Sequence, residues 1–309
     1  MKIAYAFRRT AFYPYQGGTG WEIPPPEVRG PYLRKLRELG FEGIEVGLGQ
    51  GVGRSEAEVR ELRRELEDAG VPCAALRGGG GFAHADPAVV ERGRQRLEEA
   101  IRTAAWIGSN LVNMALSVPT AETPGQMGGG VGRRVSEGGS RTAGDADYEL
   151  TAQHIRAGAD LAADLGVALS IELHQHSIAD NSWSCLRLLE LIDRPNVGVN
   201  PDLGNLYWNY EEPEETPEAC IVALAPRARY WHCKQLLRVP VPELERAYYH
   251  LVPLPDGGID YRFAISAMLE AGYDGYLAIE GIREGDQLLG DGRSVAYCRQ
   301  LLEELARGR

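Results

Sequence analysis

Eight times along this chain a short apolar run is followed by a longer amphipathic one. The spacing predicts strands at 2–7, 43–48, 72–76, 110–116, 167–173, 197–200, 228–233 and 275–279. Between them it predicts helices at 25–39, 55–70, 87–107, 148–165, 182–192, 217–224, 261–271 and 294–306. The first helix carries Leu33, Leu36 and Leu39 on one face and meets Gly40 as its stop. Ser55 and Glu58 have capping-box spacing, and Gly70 closes the helix they open. Strands alternating with helices pair in parallel through right-handed crossovers, and eight units in 309 residues suit a closed (β/α)8 TIM barrel better than an open sheet. A doubly wound dinucleotide fold is further disfavoured because no Gly-x-Gly-x-x-Gly follows the first strand. The expectation is one barrel domain over residues 1–309, interrupted at about 117–146. That stretch is rich in Gly, Ser, Thr and Arg and lacks apolar periodicity, so it reads as a lid or an oligomer contact.

Charge and cysteine usage narrow the partners. With 33 basic and 44 acidic residues the net charge is -11, which works against a phosphate-tracking surface, so nucleic acid is not an expected partner. The five cysteines are odd in number, widely spaced and contain no Cys-x-x-Cys pair, so reduced thiols are expected. No apolar run approaches the roughly 18 residues of a membrane span, and residues 1–9 enter a strand pattern directly. These features predict a cytoplasmic protein without a membrane partner; a homo-oligomer is compatible with them.

Chemistry-bearing residues gather where the predicted strands end. Glu172 closes Val-Ala-Leu-Ser-Ile-Glu, Asp202 follows Val-Gly-Val-Asn-Pro, His232 lies in Tyr-Trp-His-Cys-Lys, and Glu280 closes Tyr-Leu-Ala-Ile-Glu. In a barrel these ends converge on one face. Three carboxylates and one imidazole form a mixed oxygen and nitrogen donor set suited to Mn²⁺ or Mg²⁺, with Co²⁺, Fe²⁺ and Zn²⁺ as further candidates. A divalent ion also gives mutually repelling carboxylates a reason to coexist. Lys234 lies two residues after His232, on the same side of a strand, and reads either as a substrate contact or as an internal partner for a carboxylate. His84, after the third strand, belongs either to the catalytic face or to a locally bonded loop. The first loop holds Arg8, Arg9, Phe12, Tyr13, Tyr15 and Trp21, which fit either sugar stacking with anion capture or packing at the barrel rim. Tyr207, Trp208 and Tyr210 leave the same choice open.

Taken in order, Ile-Glu-Leu-His at 171–174, Asn-Pro-Asp-Leu-Gly-Asn at 200–205, His-Cys-Lys-Gln-Leu-Leu-Arg at 232–238, Asp-Gly-Gly-Ile-Asp-Tyr at 256–261 and Ala-Ile-Glu-Gly at 278–281 resemble the sugar phosphate isomerase/epimerase family of xylose isomerase-like TIM barrels. The resemblance covers nearly the whole chain. It implies a small carbohydrate substrate and catalytic roles for Glu172 and Glu280 as metal ligands that also move a proton. It further implies substrate contacts from His174, Arg238 and Glu45, although a structural ion pair competes for Glu45. One departure stands out: Asp202-Leu-Gly-Asn205 replaces the Asp-x-x-His of many epimerase-like members. Isomerase or epimerase chemistry leads. A lyase on the same site, either a dehydratase or a deglycosylating elimination, is the alternative; an apurinic endonuclease-like phosphoesterase and a non-catalytic subunit follow.

Overall fold

The structure is a computed structural model that describes residues 1–51, 53–80, 86–116, 131–132, 139–175, 177–208, 213–244 and 246–307. Eight parallel strands form its centre: β1 Lys2–Tyr5, β2 Gly43–Gly47, β3 Cys73–Arg77, β4 Leu111–Met114, β5 Ala168–Glu172, β6 Val197–Asn200, β7 Trp231–Cys233 and β8 Tyr276–Ile279. They run in sheet order β7-β8-β1-β2-β3-β4-β5-β6. A parallel bridge between Val199 and Ala228 brings the chain just ahead of β7 against β6 and closes the ring. The expected (β/α)8 barrel is therefore the observed one.

Its helices are α1 Pro26–Glu38, α2 Glu56–Asp68, α3 Pro87–Ile107, α4 Asp145–Asp164, α5 Ser182–Ile192, α6 Pro217–Leu224, α7 Tyr261–Glu270 and α8 Gln287–Arg307. Strand side chains alternate between two environments. Ile3, Ile44, Leu76, Val112, Leu169, Ile171, Val199, Leu277 and Ile279 face the helices and belong to the main core. The inward side is lined by small residues, Ala4, Ala6, Ala75 and Ala278, beside the larger Tyr230. Those alanines leave the barrel interior room for the polar side chains described below. The Ser55–Glu58 capping box forms as its spacing predicts. All five cysteines are buried and free. Among the described residues, no helix is long and apolar enough to cross a membrane.

Three differences from the sequence expectation have physical causes. Helix α8 starts at Gln287 instead of residue 294, because Gly290 and Gly292 are contact points and not breakers. A Cβ on Gly290 would lie 2.4 Å from Ile282, and one on Gly292 would lie 2.9 Å from Leu39. Residues after β7 form an antiparallel ribbon, Gln235–Val241 with Arg246–Val252, in the stretch between the expected strand at 228–233 and helix at 261–271, where no element was expected. Pro240 is tolerated because Gln235–Val241 is the edge strand of its sheet. Helix α4 begins at Asp145, three residues ahead of its expected start, with the Gly144 amide donating to the Asp147 carboxylate at 2.8 Å. Within the expected loop at 117–146, Val131–Gly132 pairs with the ribbon, while 117–130 and 133–138 lie outside the described residues, as do His84 and His176.

The first strand and last helix are tied by a buried polar contact, in which the Tyr5 hydroxyl donates to the carboxylate of Asp291. Asp291 is fully buried, and burial pushes its carboxyl up to about 7. Tyr5→Phe leaves that carboxyl short of a donor, so a loss of about 1–3 kcal/mol is expected, measured by urea unfolding with the far-UV spectrum unchanged at zero denaturant.

Candidate metal centre

Four side chains converge at the C-terminal mouth of the barrel. Glu172 is the last residue of β5, and Asp202 caps the one-turn helix Leu203–Leu206 after β6. His232 is the middle residue of β7, and Glu280 directly follows β8. One ligand atom from each lies within 4.8 Å of the others. Glu172, Asp202 and His232 are buried, and Glu280 is 10% exposed.

The orientation of His232 organises the group. Its Nε2 is 2.6 Å from Glu45 Oε2, which fixes the ring from behind. Its Nδ1 points to the carboxylates, 3.1 Å from Glu280 Oε1, 3.5 Å from Glu172 Oε1 and 3.9 Å from Asp202 Oδ2. Nδ1 is buried and meets hydrogen-bond geometry with no group among the described residues. A polar layer inside the barrel supports this arrangement. The Tyr230 hydroxyl donates to Glu45 at 3.1 Å, and the His232 backbone amide donates to Asn200 Oδ1 at 2.6 Å. Asn200 in turn donates to Asn113 Oδ1 at 3.3 Å.

Asn205, the residue at which the sequence departs from the Asp-x-x-His pattern of the resemblance, serves the carboxylates. Its amide donates to Asp202 Oδ2 at 3.0 Å, the Leu173 carbonyl at 2.8 Å and Glu172 Oε1 at 3.3 Å. Gly204 gives Lys234 its path, since a Cβ there would lie 2.2 Å from Lys234 Cγ. The Lys234 ammonium then bridges Glu280 Oε2 at 2.7 Å and Asp202 Oδ2 at 2.9 Å. Arg77, the last residue of β3, pairs with Glu172 Oε2 and stacks 4.5 Å from the Trp21 ring.

These contacts separate the titrations of three otherwise similar carboxyls. Burial works to raise Glu172, but Arg77 and His232 hold it well below the usual range. For Glu280, burial is outweighed by Lys234 and His232, and the carboxyl is again lowered. Asp202 goes the other way: burial, with Glu280 and Glu172, outweighs Lys234 and His232 and pushes it up to about 7. Burial opposes the charge on His232, yet Glu45, Glu172 and Glu280 keep its imidazole well above the ordinary histidine value.

A cavity of about 230 Å³ opens onto the cluster, lined by Phe7, Trp21, Arg77, Glu172, His174, Gln175, Asn205, Trp208, Lys234, Glu280 and Arg283. His174 therefore lies where it was expected; its Nδ1 is 2.8 Å from the Gln175 carbonyl, and burial lowers its pKa. Glu45 does not reach the mouth, because it is wholly buried behind His232. Arg238 lies on the ribbon opposite Tyr249, beyond the lining of this cavity. The first loop divides: Trp21 lines the cavity, whereas Arg9, Phe12, Tyr13 and Tyr15 line a separate surface groove. Sequence reasoning passed over Arg77, although a cation at a strand's C-terminal end was a visible signal, and it passed over Asn113, Asn200 and Arg283.

Gly204→Ala places a methyl group on the Lys234 stem. The expected result is a loss of about 1–3 kcal/mol from overpacking, together with release of Lys234 from its carboxylates. Amine acetylation read by mass spectrometry should find Lys234 protected in the native protein and modified in the variant.

Comparisons with known proteins agree with this architecture. D-psicose 3-epimerase of Agrobacterium fabrum is 25% identical over 251 residues, spanning 79% of this chain and 80% of the relative. A xylose isomerase-like TIM barrel protein from Mycobacterium smegmatis, solved in complex with magnesium, shares 23% identity at a TM-score of 0.73, covering 98% of this chain and 97% of its own. The structure of an L-ribulose 3-epimerase shares 17% identity at a TM-score of 0.71, with 93% of each chain covered. Residues 33–301 match the family described as xylose isomerase-like TIM barrel, and the chain belongs to that family.

Proposed function

We propose that Glu172, Asp202, His232 and Glu280 hold one divalent ion and that the protein is an isomerase or epimerase of a sugar or sugar derivative, working by proton transfer next to a carbonyl. The observation that carries this reading is the paired treatment of two carboxylates. Glu172 turns Oε1 toward His232 Nδ1 and Oε2 toward Arg77; Glu280 turns Oε1 toward His232 Nδ1 and Oε2 toward Lys234. Each is ionised at neutral pH and each borders the cavity. An ionised carboxylate can take a proton from the carbon, and its partner, once it has drawn a proton from solvent, can return one.

The fit to a metal rests on the donor set and on charge. Three oxygens and one nitrogen suit Mg²⁺ or Mn²⁺, and the buried Nδ1 of His232 faces the three carboxylates without meeting hydrogen-bond geometry with any group among the described residues. With Asp202 and His232 deprotonated as ligands, the four buried carboxylates Glu45, Glu172, Asp202 and Glu280 face two cations, Arg77 and Lys234, and the excess of two negative charges matches one divalent ion. When bound, the ion would polarise a carbonyl and neighbouring hydroxyl and acidify the C–H bond between them. His174 and Lys234 can orient substrate oxygens, and Trp21 and Trp208 wall the cavity against water. The relation to D-psicose 3-epimerase supports a ketose as the substrate class.

Metal binding should depend on pH in one direction. Asp202, pushed up to about 7, and His232, raised above its ordinary value, must both lose protons to act as ligands. Protons therefore compete below pH 7, and Mn²⁺ should bind about tenfold or more tightly at pH 8 than at pH 6. Calorimetry at the two pH values checks this, and Asp202→Ala should purify with its metal content lost. Equal affinity at both pH values would contradict the titration argument.

The chemistry is tested with D-psicose and related ketoses in deuterated water, using metal-loaded protein. Proton abstraction places solvent deuterium on the carbon beside the carbonyl, and Glu280→Gln should lower turnover about 10²–10⁴-fold. Turnover without deuterium incorporation would mean hydride transfer and would overturn the proton mechanism. Release of water or an aglycone would establish the lyase reading in its place.

A further inference from the structure

Three cations line the cavity, and two of them are committed. Arg77 is paired with Glu172, and Lys234 with Asp202 and Glu280. The third, Arg283, lies three residues beyond Glu280 and has neither an ion pair nor a side-chain hydrogen bond among the described residues. Its guanidinium carbon lies over two aromatic rings, 5.1 Å from the Phe7 centroid and 5.2 Å from the Trp208 centroid. Stacking of this kind fixes a guanidinium through its faces and leaves the N–H edge free to donate. Other arginines near the mouth cannot take that role. Arg8 is fully buried with both terminal nitrogens donating to the carbonyls of Ala6, Glu45, Trp21 and Glu22, and Arg9 lines the separate groove.

Charge gives the same direction. With a divalent ion in place, the four carboxylates are balanced by the ion, Arg77 and Lys234, so Arg283 is the surplus positive charge of the loaded site. A neutral sugar would leave that charge unmatched, whereas a substrate with one anionic end would match it. Arg283 is exposed at the rim, while the proton-moving carboxylates are buried deeper. It therefore addresses the end of the substrate remote from the reacting carbon.

We propose that Arg283, lying over Phe7 and Trp208, is a specificity residue that selects sugar derivatives carrying a carboxylate or phosphate at the end remote from the reacting carbonyl. This inference rests on the reading of the site as one for carbohydrate substrates. A matched set of ketoses separates the two sources of charge and keeps the two readings distinguishable: D-fructose, D-fructuronate and D-fructose 6-phosphate share their first five carbons. Binding of each to Mg²⁺-loaded protein is measured by calorimetry, with wild type and with Arg283→Met. At least one anionic ketose is expected to bind about tenfold or more tightly than D-fructose, and Arg283→Met should abolish that preference; which of the two binds better identifies the group. In wild type the preference should also shrink as salt rises from 50 to 500 mM, a reading that stands even when the variant does not fold. Equal affinity for all three ketoses, or a preference that survives Arg283→Met, overturns this inference and leaves the ketose reading in place. Failure of wild type to bind any of the three overturns both.

Discussion

The 2.6 Å contact between Glu45 and His232 sets the geometry on which the mouth of this barrel depends. A buried imidazole is free to rotate unless one nitrogen is engaged, and here Glu45 engages Nε2 from inside the barrel. The opposite nitrogen is thereby turned toward three carboxylates that arrive on other strands. Glu45 is itself held by Tyr230, whose bulk is accommodated because the neighbouring inward positions are alanines. The packing of the barrel interior and the orientation of the site are thus one problem with one solution.

Around that fixed ring, nearly every polar group has a partner of complementary charge. Arg77 restrains Glu172, Lys234 restrains Glu280 and Asp202, and Asn205 joins Glu172 to Asp202. Isolated carboxylates at such depth would be forced to protonate. Two of the three are instead held ionised, and the third is left poised near neutrality. Small residues are as necessary as charged ones, since Gly204 clears the path of the Lys234 stem and Gly281 makes room for Asp291.

The fold was legible because it is written in local periodicity. Alternating strand and helix patterns, the Ser55–Glu58 cap and helix-stop glycines such as Gly40 depend on neighbours in sequence and appeared where expected. The errors arose where a residue's meaning is set by what lies across the fold. The last helix was expected only from residue 294, whereas Gly290 and Gly292 lie inside it as contact points for Ile282 and Leu39, and Pro240, between the expected seventh strand and seventh helix, occupies an edge strand.

The same division runs through the site. By itself the sequence determined the barrel, the strand ends that carry Glu172, Asp202, His232 and Glu280, and the sign of the protein's charge, because strand order and parallel pairing send all those ends to one face. Only the tertiary structure decided that Glu45 stands behind His232 instead of lining the cavity, that Arg77 answers Glu172, and that Arg283 lies over two aromatic rings with its donors uncommitted. Those roles depend on distances between residues as much as 276 positions apart, as Phe7 and Arg283 are. A sequence ranks residue types at such positions, but which charge meets which is settled by the register of the closed barrel.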